Sequence, residues 1–359
     1  MENNIQHMPH ELMIQILLRL PVKSLIRFKC VCKSWFSIIS DPHFANSHFQ
    51  ITQTSRIVLV SNPDLETRSI DFEAYDSASA SLNLSFVDPQ SHFDLEIKGS
   101  CRGFIFLHGN STFYLWNPST GVQKQIPFSP NYSQYFYYPY GFGYDELRDD
   151  YLVVSVYYVT TVDEDDDSHL EFFSLRDNTW RELEGTHFPY LNANEFEPRG
   201  GSFLNGAIYW LSFRHDLSMS VILAFDLMER KLLEMSLPDG FDPGPTYCDF
   251  WVFGKFLSLW AKKEDTVEIW VMKEYKVHSS WTKTFVLPID GVPTRYFSPL
   301  CCTKSGDIIG TDGRGLVKYD DNGQFLEHHS YCNNPSRSGF YAAMYTESLL
   351  SLSSDNDQA

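Results

Sequence analysis

One pattern recurs along most of the chain and limits what it can become: a short apolar run, a polar turn, a second short run. It reads FYLWNPSTGVQKQIP at 113–127, LEFFSLRDNTWREL at 170–183, VILAFDLMERKLLEMSLP at 221–238, VEIWVMKEYKVHSSWTKTFVLP at 267–288 and LVKYDDNGQFLEHH at 316–329. Runs this short, bounded by Asn, Asp, Gly and Pro, are antiparallel hairpins. Aligned on Trp116, Ser174, Phe225, Val271 and Tyr319, they lie 58, 51, 46 and 48 residues apart. A further pair of strand-like runs precedes each, such as GFIFLHG at 103–109, DYLVVSVYY at 150–158 and SFLNGAIYWLS at 202–212. Four strands per period of about 45–55 residues is the spacing of propeller blades. A flat β-sandwich does not call for one hairpin repeated five times. The additional hairpin IVLVSNPDLETRSIDF at 57–72 predicts six or more blades, with the ring closed from both ends of the chain.

The first 50 residues follow another rule. MPHELMIQILLRLPVKSLIRFKCVCKSWFSII at 8–39 is too apolar for a surface hairpin of helices, and Arg19, Pro21, Lys23 and Arg27 break it as a membrane span. Pro9 and Glu11 suit a helix start. Between Leu12 and Leu20 only Gln15 and Arg19 are polar, so this helix needs cover on more than one side. Pro21 stops it; a second helix is expected over Val22–Phe28 and a third around Cys30–Ile39. Asp41-Pro42 reads as the cap and first position of a last turn ending near Phe49. About 40 residues cannot cover that much apolar surface alone. Either the segment packs on the rest of this chain or it docks on another protein, and composition leaves the two accounts level.

Met8-Pro9-x-Glu11-Leu12, Ile16-Leu17, Leu20-Pro21, Leu25, Val31-Cys32-Lys33-x-Trp35 and Phe44 resemble the F-box over residues 8–48. Met8 departs from the leucine usual there, a swap that cores tolerate. The resemblance implies a helical module that binds the Skp adaptor of cullin–RING ubiquitin ligases. It implies adaptor-facing and core roles for Met8, Pro9, Leu12, Ile16, Leu17, Leu20, Pro21, Leu25, Val31, Cys32 and Trp35. The larger part resembles the F-box-associated, kelch-like β-propeller of plant F-box proteins over residues 95–352. The stretches that carry it are SCRGFIFLHG (100–109), LWNPSTG (115–121), YGFGYDELRDDYLVV (140–154), FLNGAIYWL (203–211), ILAFDL (222–227) and YTESLLSL (345–352). It departs from true kelch repeats in having one adjacent glycine pair, Gly200-Gly201. The expected organisation is an α module over 1–50, then an all-β body. Residues 51–94 connect and supply first propeller strands, 95–352 form the propeller, and 353–359 are a disordered tail.

Net charge is −18; residues 1–50 carry five basic and three acidic groups, a net of +2, which leaves −20 for the body. An acidic body argues against nucleic acid as a partner. No run reaches the ~18 apolar residues of a membrane helix, and the first residues lack a secretory leader pattern. The seven cysteines are scattered without any CxxC, as suits reduced thiols in cytoplasm or nucleus. Cys30 and Cys32, if helical, point about 200° apart and cannot share a metal, so core packing is expected of them. Asp163–Asp167 reads as a solvated loop rather than a Ca²⁺ site, lacking the glycine and final glutamate of an EF-hand. GTDGRG at 310–315 reads as a strand turn rather than a phosphate loop, with no Lys-Ser/Thr after it. No cofactor, metal site or catalytic set is signposted.

The crowded stretch YSQYFYYPYGFGY at 132–144 stands apart: Tyr135, Phe136, Tyr137, Tyr138 and Tyr140 sit on a Pro/Gly-bearing connection. Tyrosine is enriched at recognition surfaces, so these residues are expected to form part of a substrate surface, although singly each can pack between blades. With the resemblance, the expectation is a non-catalytic substrate receptor of an SCF-type ubiquitin ligase. Its partners would be a Skp-family adaptor, cullin and RING subunits through it, and a protein substrate. An adaptor-bound scaffold and a propeller glycosidase are the alternatives.

Overall fold

The computed structural model describes residues 9–61, 66–73, 79–88, 95–110, 112–132, 139–159, 167–183, 189–192, 200–243, 247–331 and 340–352. Four helices come first: α1 (His10–Leu17), α2 (Val22–Phe28), α3 (Lys33–Ser40) and α4 (Pro42–Ile51). Pro9 and Pro21 stand at the N-cap positions of α1 and α2, where a missing N–H costs nothing. Asp41 caps α4 as expected, its Oδ1 accepting from the backbone N–H of His43 (2.8 Å) and Phe44 (3.0 Å).

The strands then follow in six groups. They are β1 (Ser55–Ser61), β2 (Thr67–Ile70) and β3 (Ser79–Leu82); β4 (Glu96–Cys101), β5 (Phe104–His108), β6 (Phe113–Trp116) and β7 (Gln123–Ile126); β8 (Tyr140–Asp145), β9 (Asp150–Val159), β10 (Asp167–Ser174) and β11 (Thr179–Glu182). Next are β12 (Tyr190–Asn192), β13 (Ser202–Leu204), β14 (Ala207–Arg214), β15 (Met219–Asp226) and β16 (Lys231–Ser236); β17 (Cys248–Phe253), β18 (Phe256–Lys263), β19 (Thr266–Met272) and β20 (Trp281–Pro288); and β21 (Ser298–Cys302), β22 (Ile308–Thr311), β23 (Gly315–Tyr319) and β24 (Phe325–Ser330). The last strand, β25 (Phe340–Thr346), turns back to β1 and completes the first sheet in the order β25-β1-β2-β3. The result is a six-bladed propeller of antiparallel sheets. Its innermost strands β4, β8, β13, β17, β21 and β25 border one another in turn and close the ring.

Near-continuous apolar runs follow from this packing, because both faces of a blade are covered. Along β1, Ile57 and Leu59 point toward the sixth blade, among Ile309 and Leu316. Val58 and Val60 point toward the second, among Ile105, Leu107, Tyr114 and Trp116. In the fourth blade β12 and β13 both pair with β14, so the inner strand is interrupted. There the Gly200-Gly201 pair crosses toward the axis. Gly201 donates its N–H to the Tyr140 carbonyl (2.6 Å) and bridges Gly141, while a Cβ on Gly200 would stand 2.0 Å from the Lys98 carbonyl oxygen. Only glycine permits backbones to approach so closely.

Candidate functional site

The helical module divides its apolar residues into two sets. Leu17 is 1% exposed, and Leu18, Val22, Leu25, Ile38, Ile39, Phe44 and Ala45 are buried with it. Leu12 (56%), Ile16 (50%), Val31 (60%) and Phe36 (55%) stand exposed. Leu12 and Ile16 lie four residues apart on α1 and form one ridge, as i and i+4 must. On another side of α1 a groove of about 680 Å³ opens, with Ile14, Leu18, Ile38 and Phe44 in its wall.

This division corrects two sequence expectations. Leu17 and Leu25 belong to the core and have no surface to offer an adaptor, because their helix faces turn inward. Pro9 and Pro21 are exposed, Leu20 and Trp35 are half-buried, and Trp35 packs on Phe28 with ring centroids 5.2 Å apart. Met8 lies outside the described residues. Cys30 and Cys32 were expected in the core but are exposed, since α2 ends at Phe28 and both fall in the turn before α3. Cys32 is instead the N-cap of α3, its Sγ accepting from the Trp35 N–H at 3.5 Å.

The buried set continues into the propeller without a break. It forms one cluster with Cys101, Phe104, Phe142 and Tyr144 of the second and third blades, and with Leu349, Leu350 and Leu352 after β25. Arg102, in the β4–β5 turn, is the polar centre of this junction. Its Nη2 donates to Asn46 Oδ1 of α4 (2.6 Å), and its guanidinium lies 4.1 Å from the Tyr144 ring and 5.3 Å from that of Phe49. The segment after β25 is pinned at several points. Glu347 N–H donates to Thr54 O (2.8 Å), and Ser348 Oγ donates to Arg102 O (3.3 Å). Asn117 Nδ2 reaches Ser348 O (3.2 Å), Ser348 Oγ (3.0 Å) and Leu350 O (3.1 Å). Gly103, at φ +85°, leaves room for this contact: a Cβ there would lie 2.1 Å from Ser348 Oγ. Within the helices, fully buried His48 donates from Nε2 to Leu20 O (2.8 Å), and Thr52 Oγ1 donates to Leu18 O (3.1 Å). Burial pushes the Cys101 thiol up to about 12, which makes it an inert packing group.

The aromatic connection meets the propeller at the opposite ends of the strands, between β7 and β8. Tyr135, Phe136, Tyr137 and Tyr138 lie outside the described residues. Tyr140 is buried at the start of β8, its ring 5.0 Å from Phe113 and 5.5 Å from His108. It packs between the second and third blades and has no surface to give a substrate, because the first residue of an inner strand is covered on both sides. Tyr132 stacks on Phe128 (3.9 Å). Ser129 donates to buried Glu171 (2.5 Å), whose carboxyl is pushed up by burial, and so ties the connection to the third blade.

Near the axis, Glu96 is 2.6 Å from Lys98 Nζ. Burial alone would raise its carboxyl, but His108, whose Nδ1 lies 3.8 Å away, and the charge of Lys98 outweigh that and hold it at about 2. In the 310–315 turn, Asp312 Oδ1 accepts from the N–H groups of Arg314 (2.9 Å) and Gly315 (2.7 Å), filling with its own carboxylate the place a phosphate would take. Asp163–Asp166, and the side chain of Asp167, lie outside the described residues. Among the described residues no three His, Cys, Asp or Glu side chains are grouped to hold a metal ion, and no helix is long and apolar enough to cross a membrane.

Comparison with known proteins agrees with this architecture. The F-box domain family matches residues 5–46, and the F-box associated beta propeller domain family matches residues 49–310. An F-box/kelch-repeat protein of Arabidopsis thaliana is 29% identical over 355 residues, covering 92% of each chain. The F-box protein CPR1 of the same plant is 29% identical over 342 residues, covering 87% of this chain and 81% of its own. Among solved structures, a protein of unknown function from Bacteroides caccae matches at a TM-score of 0.43 and 10% identity, over 81% of this chain and 98% of that one. The chain belongs to the F-box proteins that carry an F-box associated β-propeller domain.

Proposed function

We propose that this protein is the substrate receptor of an SCF-type cullin–RING ubiquitin ligase, working in cytoplasm or nucleus. The observation that carries the reading is the division of the helical module: one apolar set is spent on the propeller, and Leu12, Ile16, Val31 and Phe36 are left open. A ridge of that kind suits a partner's apolar helices. The adaptor is a Skp-family protein, and cullin and RING subunits join through it. Ubiquitin transfer is performed by those partners, while this chain contributes proximity. The target protein docks on the propeller, at the end where β7 finishes and β8 begins. The net −20 of the body favours a basic target and speeds its approach. A glycosidase reading has less support: a retaining or inverting enzyme needs a protonated carboxyl that reaches the sugar, whereas Glu171, raised by burial, is 4% exposed and engaged by Ser129 (2.5 Å) and Asn131 (3.2 Å). The test is co-purification from plant extract with Leu12→Asp/Ile16→Asp beside the parent protein. The parent should bring down adaptor and cullin and the variant neither. Adaptor without cullin would point to a scaffold, and equal capture by the variant would refute the docking surface.

A further inference from the structure

Three motifs of this chain meet at one place that receptor function does not explain: Arg102-Gly103, Asn117, and the segment 347–352. Each touches a different body. Asn117 belongs to the second blade, the segment extends the strand that closes the first, and Arg102 reaches Asn46 and Phe49 of α4. Leu349, Leu350 and Leu352 share a core with Leu17, Leu18, Val22 and Leu25, the inward residues of α1 and α2. The segment begins one residue after β25, whose pairing with β1 runs from Ser55↔Thr346 to Ser61↔Phe340. Opening the ring at β25–β1 therefore withdraws the residues that cover α1 and α2.

We propose that residues 347–352 are a coupling strap that makes closure of the propeller ring and ordering of the helical module one event. Five of the eight residues of α1 are apolar, and eight residues are too few for an isolated helix to persist in water. Its geometry is set by what lies beneath it. The Leu12/Ile16 ridge is thus presented in order only on a closed ring, which makes the adaptor surface conditional on an intact substrate domain. This last step rests on the adaptor reading given above; the coupling itself does not.

The experiment is hydrogen exchange on the full-length protein without adaptor, followed peptide by peptide. Leu350→Asp/Leu352→Asp puts carboxylates into the shared core, and Asn117→Ser weakens the strap more gently should the first variant fail to fold. In either, exchange should quicken in α1, α2 and α4 together with β25 and β1, by more than about tenfold in the double variant, as expected for one cooperative unit. The reverse also holds by linkage: Leu25→Ala, within α2, should loosen 347–352 and β25. Helices that keep their protection while the first blade loosens, or a parent protein that melts in two separate steps, would overturn the proposal. Loss of coupling with adaptor binding retained refutes the strap alone. Coupling retained with no adaptor binding refutes only the receptor reading.

Discussion

Ile16 and Leu17 are neighbours of similar chemistry with opposite surroundings, and changing each to alanine separates binding from stability. Leu17 is 1% exposed inside the shared core, so Leu17→Ala leaves a cavity and should cost about 2–5 kcal/mol of folding stability. Ile16 is 50% exposed. Alanine is the better helix former, and stability should stay within about 0.5 kcal/mol. Its loss appears on docking instead. Covering a whole aliphatic side chain contributes about 1.5–3 kcal/mol, so the half still open at Ile16 is worth about 1, and Leu12, 56% exposed, the same. Leu12→Ala/Ile16→Ala should therefore weaken a purified Skp-type adaptor by about 2 kcal/mol, roughly thirtyfold in Kd. Calorimetric titration reads the binding and scanning calorimetry the stability. If Ile16→Ala melts as early as Leu17→Ala, or the double variant binds unchanged, the division into inner and outer faces is wrong.

At the junction, Gly103→Ala meets both a positive φ and Ser348 Oγ, so its thermal midpoint should fall by several degrees, as expected for a loss of about 1–3 kcal/mol; an unchanged midpoint would mean that the strap does not sit there. Glu96 has its carboxyl lowered to about 2 from 4.5, so its contribution is present above the unfolded value and is lost as pH falls through the folded one. Glu96→Gln should accordingly destabilise at neutral pH and cost little near pH 2, read from urea midpoints across that range; a constant difference would refute the pairing with Lys98 and His108. Asp41→Ala should cost about 1 kcal/mol through loss of the α4 cap. Cys32→Ser should hold or raise stability, because a hydroxyl caps a helix better than a thiol at 3.5 Å; a large loss would indicate another role for the sulfur.

The propeller was legible because hairpin chemistry is local. Polar turns such as Arg176-Asp177-Asn178 between β10 and β11 announce themselves, and the 57–72 hairpin gave away closure from both ends, which β25 completes. The working faces of the helices were not legible. A helix apolar nearly all round carries no direction, so Leu12 and Leu17 read alike until Leu350 and Leu352, more than 300 residues away, select the inner side. Cys30 and Cys32 misled because a boundary shift of three residues moves them from helix to turn. Tyr140 misled because it belongs to a tyrosine-rich run yet begins an inner strand. The three family stretches SCRG, LWNP and ESLLSL resembled a signature in the sequence, and their meaning as one contact appears only when the ring brings them together.

Closing the ring with the last strand also has a consequence for how the protein is made. β1 leaves the ribosome early with an apolar edge, Ile57-Val58-Leu59-Val60, whose inner partner is Phe340–Thr346. At translation speeds of about 5–20 residues per second, that edge waits on the order of tens of seconds for its mate. An unpaired apolar edge templates pairing with other chains. Newborn copies of this protein should therefore depend on chaperone cover from the first blade onward, and a nonsense codon anywhere between residues 62 and 340 yields an open ring with β1 still seeking a strand.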